Sequence, residues 1–176
     1  VSAPAGAVVV IASGGVQGPG TVSGLNVSVD AGMGIGSTST LLTSAPTLAL
    51  DTGAGDIAVV NSFVGPVSVT SLSTGGSTIT FTNDGAASEL ELAGASNSNG
   101  NINIVNVDGG LNLTGVMQAP LGTVAISVAG GIGGVGQVVS PIIVLTSGLG
   151  VGEVLNPLVV TTSELTATAT QGWLNL

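Results

Sequence analysis

Apolar and polar residues alternate along this chain in short words of three to five residues. Leu25-Asn26-Val27-Ser28-Val29, Ile57-Ala58-Val59, Val67-Ser68-Val69 and Ile79-Thr80-Phe81 follow one another. Leu90-Glu91-Leu92, Ile102-Asn103-Ile104, Leu111-Asn112-Leu113, Val124-Ala125-Ile126-Ser127-Val128 and Ile143-Val144-Leu145 continue the series. A period of two over this length predicts a strand buried on one face only. Between the words stand clusters such as Thr52-Gly53-Ala54-Gly55, Asn83-Asp84-Gly85, Asn97-Ser98-Asn99-Gly100 and Asp108-Gly109-Gly110. Gly, Asn and Asp accept the backbone conformations of tight turns. No stretch keeps apolar residues at helical spacing without Gly, Pro or β-branched interruption, so the predicted class is all-β.

Short strands at regular spacing fit either an antiparallel sandwich or a parallel solenoid. Two patterns favour the solenoid. Words two steps apart resemble each other more than neighbours do: Ile57-Ala58-Val59 matches Ile79-Thr80-Phe81, and Val67-Ser68-Val69 matches Leu90-Glu91-Leu92. The chain also repeats itself at an offset of 116. Ala3-Pro4-Ala5-Gly6-Ala7-Val8 returns as Ala119-Pro120-Leu121-Gly122-Thr123-Val124, Gly14-Gly15-Val16 as Gly130-Gly131-Ile132, and Met33-Gly34-Ile35-Gly36 as Leu149-Gly150-Val151-Gly152. After a slip of one residue, Leu48 matches Leu165, Gly55 matches Gly172 and Ile57 matches Leu174. The expectation is a right-handed parallel β-helix with coils of roughly 20–23 residues, each strand lying ~4.8 Å over its equivalent. About eight coils would make a rod roughly 40 Å long. Residues 1–176 form a single solenoid segment, open at both ends, with one repeat unit at 3–118 and a partial second copy at 119–176.

Composition narrows what such a rod can do. The 176 residues include nine acidic side chains, no Lys, Arg, His, Cys or Tyr, and 30 Gly; the formal net charge is −9 and the mean hydropathy +0.73. Disordered tracts combine low hydropathy with strong self-repulsion, and this chain is apolar. Without a side-chain cation it lacks the groups that neutralise phosphates or anionic headgroups, which excludes ordinary nucleic-acid binding. No apolar run reaches the ~18 residues of a spanning helix, so membrane insertion is not expected. Without His, Cys, Lys or Arg, no nucleophile–base pair or cationic oxyanion stabiliser can be assembled.

The words of the second copy resemble a known repeat language. Ala119-Pro-Leu-Gly-Thr-Val-Ala-Ile-Ser-Val-Ala-Gly-Gly-Ile-Gly133, and the stretch from Asn156-Pro-Leu to Gly172-Trp-Leu-Asn-Leu176, are similar to the repeat region of filamentous-haemagglutinin-type exoproteins. These are large adhesins of Gram-negative bacteria, many exported by two-partner secretion. The resemblance covers nearly the whole chain, although the Lys and Arg scattered through that family's repeats are missing. It implies an extracellular or cell-surface location and a non-catalytic structural rod of an adhesin or surface fibre. The alternative is a self-assembling subunit of a homopolymeric extracellular filament, and a carbohydrate-active or ice-binding β-helix ranks below both. For rod and filament alike the expected partners are further copies or further coils of the same protein stacked end to end, with a host or neighbouring-cell surface as a further candidate.

Glu89 and Glu91 alternate about one word and could in principle form a glycosidase pair, but Leu90 and Leu92 claim the inward side, leaving the carboxylates as outer-face solvation. Asp51, Asp56, Asp84 and Asp108 stand beside turn glycines and read as turn formers rather than ligands of calcium, which takes six to eight oxygens. Thr78/Thr80/Thr82 and Thr166/Thr168/Thr170 resemble an ice-binding array, yet only two coils would carry it. Asn26-Val27-Ser28 and Asn112-Leu113-Thr114 match the glycosylation pattern, as expected by chance in a chain rich in Asn, Ser and Thr. Phe63, Phe81 and Trp173 are too few for a platform that stacks sugars, and are expected to fill a corner of the core or an inter-coil gap. No catalytic, cofactor-binding or metal-ligating residue is assigned, and no cofactor is expected.

Overall fold

The computed structural model describes residues 1–97 and 99–176; Ser98, in the turn expected at 97–100, lies outside the described residues. The described chain is all-β, with its strands joined in one 18-stranded sheet wound into stacked coils. Among the described residues every strand-to-strand register is parallel, and the one antiparallel contact is an isolated bridge between Glu153 and Asn156. The matching words do stack: Ile57 lies under Ile79 and Val59 under Phe81, as Val67 lies under Leu90 and Val69 under Leu92.

Two walls define the rod. The first begins as single long strands, β1 (Ser2–Ala12), β2 (Thr21–Ala31), β4 (Thr47–Thr52) and β6 (Val67–Thr74). Above β6 this wall divides at a bend. Its first half continues as β8 (Leu90–Leu92), β11 (Leu111–Leu113) and β14 (Ile132–Gly133). Its second half continues as β9 (Ala95–Asn97), β12 (Val116–Gln118), β15 (Gln137–Val139) and β17 (Val159–Thr161). Gly94, at φ +153°, makes the first of these bends between Leu92 and Ala95.

The second wall does the reverse. It begins divided, as the Val16–Ile35 bridge and as β3 (Leu41–Ser44), which pairs with Thr21–Ser23 where the start of β2 reaches onto this wall, and it fuses at β5 (Ile57–Asn61). It then runs unbroken through β7 (Ile79–Asn83), β10 (Ile102–Asn106), β13 (Thr123–Val128), β16 (Ile142–Ser147) and β18 (Glu164–Ala169).

The changeover explains the internal repeat. From Val8 the inward column climbs through Val27, Leu48, Val69 and Leu92 to Leu113, all on the first wall. Val124, the sequence copy of Val8, instead lies over Ile102 on the second wall. An offset of 116 residues is therefore five coils and one wall more, and each copy places its unbroken strands opposite its divided ones. The backbone agrees: Gly18, Gly36 and Gly55 of the first copy have positive φ, as do Gly134, Gly152 and Gly172 of the second. At Gly36 and Gly152 the requirement is also steric, because a Cβ would run into the carbonyl of Ala58 or of Asn175 on the next coil.

Coils measured along the column Val16–Ile35–Ile57–Ile79–Ile102–Val124–Ile143–Leu165 span 19, 22, 22, 23, 22, 19 and 22 residues. The two 19-residue coils lie below the expected range. In each, the turn after its long strand holds three residues, Gly32-Met33-Gly34 or Ala129-Gly130-Gly131.

The core is a set of aliphatic columns. Ile35, Ile57, Ile79, Ile102, Val124 and Ile143 are fully buried in one; Val59, Phe81, Ile104, Ile126 and Leu145 follow in the next. Burying such a side chain contributes about 1.5–3 kcal/mol, and only a neighbouring coil can cover it. A mainly polar column closes the wall: Thr43, Asn61, Asn83 and Asn106 are buried in succession, Val128 interrupts them, and Ser147 follows. Among the described residues no buried side-chain N or O lacks a hydrogen-bond partner.

Candidate functional site: a groove on the divided first wall

Parallel stacking puts the outward residues of successive coils in columns as well. On the first wall one of these runs Ser68, Glu91, Asn112, Gly133. At Gly133 the side chains stop. The preceding turns are also glycine, with Gly110, Gly131 and Gly150 standing just before Leu111, Ile132 and Val151. The result is a trough of about 630 Å³ on the side of the rod. From Glu89 to Trp173 it crosses four coil steps, roughly 19 Å at ~4.8 Å each.

Its walls carry the chemistry. At one end Glu89 accepts a hydrogen bond from the Gly110 amide, 3.2 Å from Oε2, and Asn112 is exposed beside it. In the middle, the Glu153 side chain lies over Gly133, whose Cβ would stand 3.8 Å from Oε1. Glu153 is held by a short turn in which its amide and carbonyl bond those of Asn156, at 3.0 and 3.1 Å. At the other end Trp173 donates from Nε1 to the Gly152 carbonyl at 3.2 Å and remains 58% exposed. Its neighbour Leu174 continues the inward column above Val151, so the indole is directed to the side of the rod rather than along its axis. Two carboxylates and no cation make the trough an acceptor-rich, negatively charged site with an aromatic surface.

Trp173 thus differs from the core-filling role expected of it, because it follows Gly172 outward while Leu174 takes the inward place. Phe81 is fully buried as expected, and Phe63 packs partly buried against the core. Glu89 and Glu91 are both exposed; only Glu91 belongs to β8, and Glu89 turns to the groove.

The aspartates tie coil to coil, although Asp51 does so from within β4 rather than from the turn expected of it. Asp51 accepts from the hydroxyls of Ser71 and Ser73 at 2.6 and 2.5 Å, Asp56 from the Thr78 amide at 2.8 Å, and Asp108 from the Ala87 amide at 2.7 Å. Asp84 is an exposed turn residue. Among the described residues no three Asp or Glu gather as a metal site. The threonine array is broken as expected: Thr80 is flanked in its outward column by Ala58 and Asn103, and Thr166 follows Val144. Asn26 lies within β2, whereas Asn112 lines the groove.

The groove left a trace in the sequence that composition alone concealed. Positions equivalent by the internal repeat are Gln17 and Gly133, Ser37 and Glu153, Asp56 and Trp173. The structural glycines match between copies while these three positions do not. No protein-family model, no curated protein and no solved structure matches this chain.

Proposed function

We propose that the chain is a non-catalytic structural rod of a bacterial extracellular adhesin or surface fibre, extended by further coils or further copies stacked end to end. The observation that carries the reading is the stacking itself: Ile57, Ile79, Ile102, Val124 and Ile143 form one fully buried column, each side chain covered by the coils above and below. Such a column can be continued by any further coil or copy that presents the same inward residues. The resemblance of the repeat words to haemagglutinin-type exoproteins supports the extracellular, Gram-negative setting, and a side-chain inventory without His, Cys, Lys or Arg supports the non-catalytic part.

Electron microscopy of the purified chain across a concentration series tests the stacking. End-to-end rods that lengthen with concentration, and shorten when Leu165 and Ala167 are both replaced by Lys, are the expected result. Single rods at every concentration would overturn self-stacking. The intact mass of the native protein separates the two forms of the proposal. A species near 16.6 kDa would be a polymer subunit, and one many times larger a rod within a longer chain.

A further inference from the structure

We infer that the groove between Glu89 and Trp173 binds a neutral, extended oligosaccharide lying along the rod axis. This does not depend on the rod stacking end to end.

The strongest support comes from the chain's own first copy. There the equivalent trough is filled: Gln17 donates from Nε2 to Ser37 Oγ at 3.4 Å, and Thr38 donates to Gln17 Oε1. Asp56, at the position of Trp173, serves the backbone by accepting from Thr78. In the second copy Gly133 removes the filling side chain, Glu153 stands free of that link, and a tryptophan replaces the structural aspartate. The backbone glycines common to both copies suffice for the fold. The differences open one trough and furnish it.

The chemistry of the furnishing selects the ligand. An exposed indole offers an apolar surface to the C–H faces of a sugar ring. Glu89, Glu153 and Asn112 supply acceptors for hydroxyl groups, and the glycine floor lets a ring approach the backbone. An anionic ligand would meet two carboxylates with no cation in the chain. Binding sites combine an apolar surface with a few convergent polar groups, and the length of about 19 Å over four coils suits a linear chain of several rings.

The protein carries its own probe, since Trp173 is its one tryptophan and it has no tyrosine. Titrating the full chain with cellohexaose, maltohexaose and chitohexaose, and with hexagalacturonate as the anionic counterpart, should shift the tryptophan emission for at least one neutral member and not for the acidic one. Calorimetry should show that binding falls roughly tenfold or more in Trp173→Ala, a loss of about 1.4 kcal/mol. Gly133→Gln installs the first copy's residue where a Cβ meets only ordinary contacts. It should keep the circular dichroism spectrum and abolish binding. The inference is overturned if no neutral member binds at several millimolar, if hexagalacturonate binds as well as they do, or if a binding sugar is indifferent to both substitutions.

Discussion

Asn61 donates from Nδ2 to Oδ1 of Asn83 at 3.2 Å, deep between the coils, and Asn83 passes the same bond to Asn106 at 3.1 Å. The ladder is anchored at both ends. Asn61 exchanges bonds with the amide and carbonyl of Ala45, and Asn106 donates to the carbonyls of Ser88 and Gly110 at 2.7 Å each. The amides therefore hold the turn backbone while joining three coils, a role aliphatic side chains cannot fill. Asn83→Leu should lower stability by about 1–3 kcal/mol, because it leaves one buried N–H of Asn61 without an acceptor and removes one of the two donors to Asn106 Oδ1, the other being Ser88. A denaturation midpoint equal to that of the unmodified chain would show that the ladder contributes nothing net.

The aliphatic columns should be still less forgiving. Ile104 is buried between Phe81 below and Ile126 above. Ile104→Asp removes apolar contacts and buries a carboxylate without a cation anywhere in the chain, at a cost of about 4 kcal/mol or more. Loss of the β signal in circular dichroism near room temperature is expected. Asn103→Asp, one residue away and outward, should melt like the parent. If the two variants behaved alike, the inward assignment of Ile104 would be wrong.

Strong words such as Ile79-Thr80-Phe81 and Leu90-Glu91-Leu92 made the parallel stacking legible, because stacking equivalent positions demands similar residues at coil intervals. The strand Ala95–Asn97 was not legible, since its inward positions are a small Ala95 and a polar Asn97. What creates that strand is the bend at Gly94 and pairing with β6 and β12, neither of which has a local apolar signature. The asparagine ladder was visible as Asn61, Asn83 and Asn106 ending successive strands, but period two makes an inward Asn look like the end of a word. The groove was hidden for a related reason: it is made by absent side chains at Gly133 and Gly150, which read as turn residues until stacking sets them side by side.

Proteolysis reports on this architecture with little ambiguity. With no Lys or Arg in the chain, trypsin should leave even the unfolded protein intact. A glutamate-directed protease should cut the folded chain first after Glu153. That residue projects from a short turn flanked by exposed Val154 and Leu155, whereas Glu89 is tied to Val67 and Gly110 on the coils below and above, and Glu91 and Glu164 lie in strands paired with their neighbours. Mass spectrometry of the first fragments checks this. Initial cleavage after Glu91 would mean that the divided wall opens more readily than the turn.

Lateral behaviour follows from where the charges sit. The outward columns of the unbroken second wall, Ala58–Thr80–Asn103–Ala125–Val144 and Val60–Thr82–Val105–Ser127–Thr146, contain no carboxylate. The acids occupy turns, the first wall and the start of β18. Two such walls can meet face to face, opposed only by the rod's net charge of −9. Aspartate and glutamate side chains in general protonate as pH falls through about 4, and the chain has no side-chain cation to recharge it with the opposite sign. Light scattering should rise between pH 7 and pH 3 and stay high, and the same rise should come earlier at high salt, where repulsion is screened. Ala125→Lys places a cation that persists at pH 3 in the middle of the flat wall, and should suppress the acid-induced association while leaving the coil fold intact. Equal scattering from the lysine variant and the parent at pH 3 would show that the rods associate through some other surface.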